Sequence, residues 1–348
     1  MKNYKETMRF LTDTEFIILM NPNPFVLDNW CAPPPIYVPT LEDRVRYRAA
    51  GIQTAVEYPM WHVMEPVKGT YDFSMIETIL RLNREAGLKT IFPIHNNRFP
   101  DWMPDDWMYK NKDGVVSRDG ISFWNADAQE HNMQFYRDFL AEFSDEDVLC
   151  VLAENGYGES LLPCAPSFYD ASALQDYRDK YGSSAMPDIS LPETKEWLAK
   201  TAISHIMKIQ TLFHDVGGEV WNMLQLLMNQ WSEATINYVQ PDLLKLFREA
   251  WPDDPIILLQ YTYFDDSHGQ DNVDYVDMLR DISGCDVIVE AHFCAGLRMT
   301  TPLSIAKGFI GQIVSPTHPM SGKHRIEDWM FDEIAWAHNT WTERTLGK

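Results

Sequence analysis

Two glutamates each follow a short apolar run of the chain. Glu290 closes the run DVIVE, and Glu159 comes after the run VLCVLAENGYG. A carboxylate after a buried strand is costly unless it is paired, hydrogen-bonded or used in chemistry. At the carboxyl ends of parallel strands, two such side chains would face one cleft. Two facing carboxylates are the minimal machinery for cleaving a glycosidic bond.

The proton donor of such a pair has two candidates. Glu159 is preceded by Gly156 and Gly158, and glycine permits a positive φ or a close approach of a ligand to the backbone. Glu154 stands at the end of the preceding strand and competes for the same role. We expect Glu159 to be the donor, with Glu154 as the alternative. The other carboxylate would then form a salt bridge that positions the loop.

Glu290 is the candidate for the second carboxylate, the nucleophile. Tyr261 ends the neighbouring strand and His292 follows Glu290 by two residues, so either side chain could orient the carboxylate. The alternative is a buried ion pair between Glu290 and an arginine such as Arg298.

Neutral hydrogen-bonding groups also cluster at predicted strand ends. His95 and Asn96 end the third strand, Asn155 follows the fourth, and Asn229 ends the fifth. Such groups suit sugar hydroxyls, although they serve equally well as loop caps. Trp61 ends the second strand and could stack on a sugar ring or simply pack in the core.

The elements that must position these residues alternate along the chain. Near-continuous apolar runs alternate with amphipathic helical patterns, which is typical of a parallel sheet covered by helices. The predicted strands are 15–21, 53–61, 89–97, 147–154, 219–229, 255–264, 285–293 and 307–315. Eight such units favour an α/β fold of the (β/α)8 TIM-barrel type with long βα loops. We expect one domain over 1–348, with a Pro-rich insertion at about 22–39.

Several helix ends are readable from the sequence. Thr40 predicts an N-cap for a helix that stops before Gly51. Ser74 predicts the cap of a second helix, which Gly87 ends. Further helices are predicted over 128–143, from the fourth loop to about residue 217, and over 325–341.

Composition narrows the function classes. The 348 residues carry a net charge of −22, which disfavours nucleic acid and anionic membrane surfaces as partners. The five cysteines form no CxxC pair, and no run of 18 apolar residues or signal-peptide pattern occurs. We therefore expect a cytoplasmic protein. The paired carboxylates make a carbohydrate its expected partner.

The sequence predicts no cofactor and no metal. Phosphate-binding glycine loops and a GxSxG nucleophile motif are absent. Four histidines are candidate metal ligands, but no HExxH motif supports them. They are His62, His95, His292 and His318. A metal-dependent barrel hydrolase is therefore a less favoured alternative.

Residues 61–104 resemble the second and third βα units of clan A glycoside hydrolases. The likeness is to the β-galactosidases of families 42 and 35 and to the β-amylases of family 14. The matching residues are Trp61, Glu65, Pro66, Gly69, Tyr71, Asp72, Phe73, Gly87, Leu88, Pro100 and Trp102. The resemblance implies a barrel that cleaves glycosides with two glutamates, with a preference for the retaining mechanism over the inverting one.

The fourth strand departs from the β-galactosidase pattern. That family carries Asn-Glu-Tyr-Gly with the acid at the glutamate, whereas this chain reads Asn155-Gly156-Tyr157-Gly158. The alternative alignment is with the Gly-Glu-Leu-x-Tyr-Pro motif of the β-amylases, which makes Glu159 the acid. Both alignments put the second carboxylate at Glu290. The glycine at position 156 also keeps open a carbohydrate-binding protein without turnover.

Overall fold

The described part of the chain comes from a computed structural model. It comprises residues 10–13, 40–56, 61–94, 99–143, 148–152, 154–155, 168–188, 190–215, 222–226, 245–246, 248–250, 256–262, 277, 280–281, 284, 286–291, 297–314 and 328–346.

Most strands in these residues belong to one sheet. They are β1 (Phe10–Asp13), β2 (Thr54–Val56), β3 (Lys89–Ile94), β6 (Val148–Leu152), β7 (Glu154–Asn155), β8 (Asn222–Leu226), β9 (Ile256–Thr262), β10 (Asp286–Ala291) and β11 (Gly311–Val314). Their order is β6-β3-β2-β1-β11-β10-β9-β8-β7, and every pairing is parallel. The parallel sheet confirms the predicted α/β class.

The two ends of this strand order are occupied by one stretch of chain. β6 pairs with β3 at one end, and β7 pairs with β8 at the other. In sequence, only Ala153 separates β6 from β7. β6 also lies against β8.

Helices follow most of the strands. They are α1 (Leu41–Ala49), α2 (Trp61–Met64), α3 (Ser74–Ala86), α4 (Ala126–Phe143), α5 (Ala171–Tyr181), α6 (Pro192–Asp215), α7 (Leu297–Lys307) and α8 (Asp328–Leu346).

Helix α1 begins at the N-cap that the sequence predicts. The side chain of Thr40 accepts a hydrogen bond from the backbone N–H of Asp43, and the Asp43 carboxylate accepts one from the N–H of Thr40. This reciprocal arrangement is a capping box, which satisfies two amides that the helix itself leaves unpaired. The predicted N-cap at Thr40 is confirmed.

The predicted cap of α3 is wrong by one residue. Ser74 is the first helical residue, and Phe73 occupies the N-cap without a side-chain bond. The carboxylate of Asp72 accepts from the N–H of Ser74 at 3.0 Å and takes over the capping role. The predicted end is confirmed, because Gly87 has the left-handed φ of 75° that ends many helices.

Some strand bounds also differ from the prediction. Of the predicted strand 53–61, β2 covers Thr54–Val56, residues 57–60 lie outside the described residues, and Trp61 begins α2 instead. β11 starts after the predicted residue 307, since α7 continues to Lys307. The strand that pairs with β2 is β1, whereas the whole of the predicted strand 15–21 lies outside the described residues.

The loop after β3 contains a hairpin that was not predicted. β4 (Met108–Lys110) pairs antiparallel with β5 (Val116–Ile121). The connection carries Asp113-Gly114, with φ of 78° at the glycine. An Asp-Gly pair between two strand-like runs is a strong hairpin signal, so the sequence did contain the information.

Two polar side chains identify the helix side of the sheet. Gln312 on β11 is buried and exchanges hydrogen bonds of 2.8 and 2.9 Å with Thr300 and Thr301 of α7. Thr90 on β3 accepts a bond of 2.9 Å from Asn83 of α3. Residues paired in parallel strands share a face, and alternate residues do so along a strand.

The register connects these two side chains to one face. Gln312 pairs with Phe10, Thr12 pairs with Ala55, and Ala55 pairs with Thr90. Both polar residues therefore lie on the helix side, and the two assignments agree across four strands.

The last helix packs against the first. The ring of Phe331 on α8 lies 5.5 Å from that of Tyr47 on α1, and the Arg46 guanidinium lies 3.9 Å over the Phe331 ring. Next to this contact, Gly51 has a φ of 106°, and a Cβ there would lie 2.2 Å from Cγ of His338. The closeness of α8 therefore requires glycine at this position.

Replacement of Gly51 by alanine should lower the free energy of unfolding by about 2–4 kcal/mol. The new methyl group adds overpacking against the His338 ring to the strain of a positive φ. Urea unfolding of the purified variant measures the loss.

Gly114→Ala is the matched control, because Gly114 has a φ of 78° with no atom within 4 Å of the added Cβ. It should lose only about 1 kcal/mol. Equal losses in the two variants would show that the α8 contact is unimportant.

Candidate functional site

The sequence-predicted site residues divide into three groups. Five lie outside the described residues: His95, Asn96, Glu159, Asn229 and His292. Four are described by backbone position alone: Glu154, Asn155, Tyr261 and Glu290. The side chain of Trp61 is described in full.

Glu290 lies next to last in β10, near the carboxyl end of the strand. Its register partners are Tyr261 on β9 and Ile313 on β11. The preceding residue, Val289, pairs with Gln312 and so lies on the helix side. Position 290 therefore lies on the opposite face of the sheet, together with position 261.

Glu154 reaches the same face through the register of three neighbouring strands. It pairs with Gln225 on β8, Gln225 pairs with Leu259 on β9, and Leu259 pairs with Ile288 on β10. Position 288 shares a face with position 290 because the two are two positions apart in the strand, with one residue between them. The two glutamates therefore lie on one face, with Glu154 at the level of Ile288.

Asn155 falls on the other face. It pairs with Leu226, and the register continues through Gln260 to Val289, which is on the helix side. The sugar contact expected of Asn155 stays a prediction, and this position lies on the helix side of the sheet.

The alternation of faces shifts by one residue between Leu152 and Glu154. Leu152 pairs with Ile94, which lies on the helix side because it follows Thr90 by four residues. Strict alternation would put Glu154 on the helix side as well, but its pairing with β8 puts it on the other face. A one-residue shift of this kind redirects the following residue, as β-bulges near active sites do.

Arg298, the alternative ion-pair partner of Glu290, binds a different carboxylate in the structure. Its Nε and Nη2 donate to the two carboxylate oxygens of Glu333 on α8 at 2.6 and 2.9 Å. Its guanidinium also lies 4.1 Å over the Trp336 ring. These contacts belong to the helix layer, so the structure gives no support to the Arg298 alternative.

Trp61 is a packed residue in the described structure. Its side chain is 1% exposed, and its ring stacks with those of Phe135 at 4.7 Å and His131 at 5.9 Å. The geometry favours the core-packing alternative over a sugar platform at this tryptophan.

The indole of Trp61 also donates to a buried carboxylate. Its Nε1 lies 2.6 Å from Oε2 of Glu65, whose side chain is fully buried. The N–H of Gly69 donates to Oε1 at 2.7 Å, and Nε2 of His131 lies 3.0 and 3.2 Å from the two oxygens. An ionised carboxylate only accepts hydrogen bonds, so the histidine is the donor.

The environment of Glu65 favours its charged form. Burial by itself raises the pKa of this carboxyl group. The hydrogen bonds from His131, Gly69 and Trp61, with the electrostatic attraction of His131, outweigh burial and lower the pKa below its ordinary value of 4.5. Glu65 is therefore a buried carboxylate with at least three donors.

His131 is surrounded by tryptophans. Its ring centroid lies 5.0 Å from that of Trp102 and 5.5 Å from that of Trp107, in addition to the stack on Trp61. The indole N–H of Trp102 donates to the backbone carbonyl of Glu65 at 2.8 Å. Lys68 completes the outer side, with its ammonium 4.8 Å from the Trp107 ring centroid.

We call Trp61, Glu65, Trp102, Trp107 and His131 the Glu65 cluster. It joins three parts of the chain: residues 61–72 after β2, residues 99–107 after β3, and the first turns of α4. The carboxyl ends of parallel strands meet at one edge, so the cluster lies where barrel enzymes place their functional loops.

His131 was not singled out from the sequence. Its signal was helical spacing: Ala128 and Phe135, three residues before and four after it, are buried on the same face of α4. A histidine in such a row is a core position, and a core histidine needs a hydrogen-bond partner.

No group of three or more metal-ligating side chains occurs among the described residues. The metal-ligand candidates His95, His292 and His318 lie outside those residues. No helix among the described elements is long and apolar enough to cross a membrane.

Glu65→Gln should lower the free energy of unfolding by about 3 kcal/mol at neutral pH. The substitution leaves buried donors facing a neutral amide. Because the pKa of Glu65 is lower in the folded state, the stabilisation by its charge is complete above about pH 5. It disappears as the pH falls through the folded-state pKa. The difference in free energy of unfolding between wild type and variant, measured by urea unfolding, should therefore narrow as the pH is lowered below about 5.

Glu142→Gln on the exposed side of α4 serves as the control, with an expected change within about 0.5 kcal/mol at every pH. A gap for Glu65→Gln that widened on acidification would contradict the assignment of a stabilised carboxylate.

Part of the chain matches a known protein family in sequence. Residues 40–161 match the sequence model of the Glyco_hydro_42 family, described as β-galactosidase. This range contains the Glu65 cluster and both candidate acids, Glu154 and Glu159. No curated protein matches the chain.

Solved structures match the fold over nearly the whole chain. The β-galactosidase of the psychrophilic Marinomonas ef1 has a TM-score of 0.64 at 12% identity, over 98% of this chain and 60% of its own. The polyextremophilic β-galactosidase of the Antarctic haloarchaeon Halorubrum lacusprofundi has a TM-score of 0.61 at 14% identity, over 96% and 58%. The cold-adapted β-galactosidase of Rahnella sp. R3 has a TM-score of 0.63 at 13% identity, over 96% and 56%.

This chain thus spans at most 60% of the length of those three enzymes. It is similar to the family 42 β-galactosidases in sequence over residues 40–161, and to solved β-galactosidases in fold.

Proposed function

We propose that the protein is a glycoside hydrolase that cleaves β-galactosides or closely related glycosides. The family match over residues 40–161 and the fold shared with three β-galactosidases support the class. The observation that carries the proposal is the common face of Glu154 and Glu290 in a parallel sheet.

The proposal requires the sheet to close. Glu154 and Glu290 are three strand spacings apart, which is about 14 Å along a flat sheet at about 4.8 Å per strand. Catalytic carboxyl groups of retaining glycosidases are only about 5–5.5 Å apart. Curling into a (β/α)8 barrel brings such positions to face each other across the interior.

The strand order supports closure. β6 and β7, at the two ends of the order, are separated by one residue in sequence, and β6 also lies against β8. β6 and β7 would together form the fourth barrel strand, and β10 the seventh. One domain over 1–348 is part of this proposal.

In the proposed mechanism, Glu290 is the nucleophile. Its carboxylate attacks the anomeric carbon while a second glutamate protonates the departing glycosidic oxygen. Water then attacks the glycosyl ester, the second glutamate takes its proton, and the sugar leaves with its configuration retained.

The proton donor is Glu154 or Glu159. The face on which Glu154 lies supports that residue, and the alignment with the β-amylase motif supports Glu159. His95, Asn96, Asn229, Tyr261 and His292 are proposed to bind sugar hydroxyls, and the position of Tyr261 beside Glu290 supports a role in orienting the nucleophile.

A carbohydrate-binding protein without turnover is the alternative. It is favoured by one observation, which is Gly156 at the position where the β-galactosidase motif has its acid. Binding of galactose or lactose without hydrolysis of any glycoside would establish it.

Glu290→Gln should reduce kcat on an aryl β-galactoside by about 10³-fold or more, since loss of a covalent nucleophile removes the reaction path. Asp286→Asn is the matched control, because it removes a carboxylate at the opposite end of the same strand. Its kcat should stay within about twofold of wild type. Equal rates for Glu290→Gln and wild type would rule out the nucleophile assignment.

The product formed first should be the β-anomer of the sugar. NMR spectra taken in the first minutes of hydrolysis distinguish it from the α-anomer, before mutarotation mixes the two. An initial α-product would show inversion, and the second carboxylate would then activate water.

Leaving-group dependence should separate Glu154 from Glu159. A dinitrophenyl galactoside needs no proton on its leaving group, whereas lactose does. Replacing the true donor by glutamine should lower kcat/KM on lactose by about 10²–10⁴-fold and spare the first step on the dinitrophenyl substrate. The other glutamine variant should affect both substrates similarly. If neither variant showed selectivity, the donor would be a different residue.

A further inference from the structure

We propose that Glu65 and His131 are positioning residues that hold the loops after β2 and β3 in register for sugar binding. The inference rests on the proposed function and assigns a role to a pair outside the two catalytic carboxylates. It is carried by the hydrogen bonds of the Glu65 cluster and by its place at the carboxyl edge of the sheet.

The bonds of Glu65 link separate parts of the chain. Its backbone carbonyl accepts from Trp102 in the loop after β3, while its carboxylate accepts from Gly69 within its own loop. His131 brings in α4 as a third element. The 61–72 loop is closed on itself by a 2.7 Å bond from the N–H of Asp72 to the carbonyl of Met64.

A charged group is a poor choice where the only need is cohesion. Burial of an ion pair costs desolvation, and apolar residues of similar volume usually give equal or greater stability. Three tryptophan rings already surround His131, so apolar packing is available. Hydrogen bonds to a carboxylate restrict the distance and angle of each donor, whereas apolar contacts are not directional.

The fixed geometry of these hydrogen bonds matters because predicted sugar-binding residues are close to the Glu65 cluster in sequence. The predicted sugar-binding residues His95 and Asn96 stand between Ile94, the last residue of β3, and Phe99. Phe99 contacts Trp61 at a ring distance of 5.8 Å. A displacement of about 1 Å in positioning groups can reduce turnover efficiency about 100-fold.

The exposure of the pair is also consistent with positioning. The side chain of Glu65 is fully buried and that of His131 is 14% exposed. Neither offers a free surface for substrate, so both would act through the loops they hold.

Three variants separate positioning from stability. His131→Phe keeps a ring among the tryptophans but removes the donor to Glu65. His131→Gln keeps an amide donor close to the place of Nε2. Phe139→Leu trims a buried ring two turns later on α4, among Phe73 and Phe143, and serves as the stability control.

Steady-state kinetics on an aryl β-galactoside give the first readout. His131→Phe should raise KM about tenfold or more and lower kcat/KM about 10–100-fold, with a smaller change in kcat. His131→Gln should restore kcat/KM to within about threefold of wild type. Phe139→Leu should lower the melting temperature but leave kcat/KM within about twofold. Equal kinetic loss in His131→Phe and Phe139→Leu, at equal loss of stability, would overturn the proposal.

Hydrogen exchange gives a second readout that needs no activity. Backbone amides in residues 61–72 and 99–107 should exchange faster in His131→Phe than in wild type, but not in His131→Gln or Phe139→Leu. Unchanged exchange in both loops would overturn the proposal. If wild type hydrolysed no glycoside, the proposed function would fail, while exchange would still decide whether the pair holds the loops.

Discussion

Parallel pairing is the constraint on which the rest of this structure depends. Every pairing in the main sheet runs the same way, so every strand presents its carboxyl end at one edge. The strict alternation of side chains then assigns each residue to the helix side or to the other face. Buried contacts of Gln312 and Thr90 with helices fix which face is which. Glu154 and Glu290, which are far apart in sequence, therefore lie on the same face of the sheet.

The loops at that edge face a different physical problem. They lie outside the strand ladders, so other bonds must fix their positions. The Glu65 cluster meets this need with a carboxylate inside a group of aromatic rings. Desolvation opposes this arrangement, and the surrounding donors reverse its effect on the pKa. Burial raises the pKa of Glu65 and the hydrogen bonds lower it, and the net lowering keeps the carboxylate negatively charged at neutral pH.

Much of the fold was readable from the sequence because apolar runs and caps are local signals. The strands that carry Tyr261 and Glu290 and the cap at Thr40 were predicted correctly. The hairpin at Asp113-Gly114 was readable but missed. The shift of faces before Glu154 was not readable, because one residue changes the face without changing composition. Glu65 belongs to the motif that resembles the clan A glycoside hydrolases, but its partner His131 is 66 residues away in sequence, and only the fold brings them together.

The tight contact of Gly51 with His338 has a consequence for how the chain is made. Gly51 follows α1, whereas His338 belongs to α8, so most of the described residues lie between them in sequence. During synthesis, the part of α1 that contacts α8 stays uncovered until the ribosome has released α8. Contacts of such long sequence separation slow folding and leave apolar surface open to association in the meantime. Tyr47, fully buried in the finished protein, is on that surface until α8 arrives.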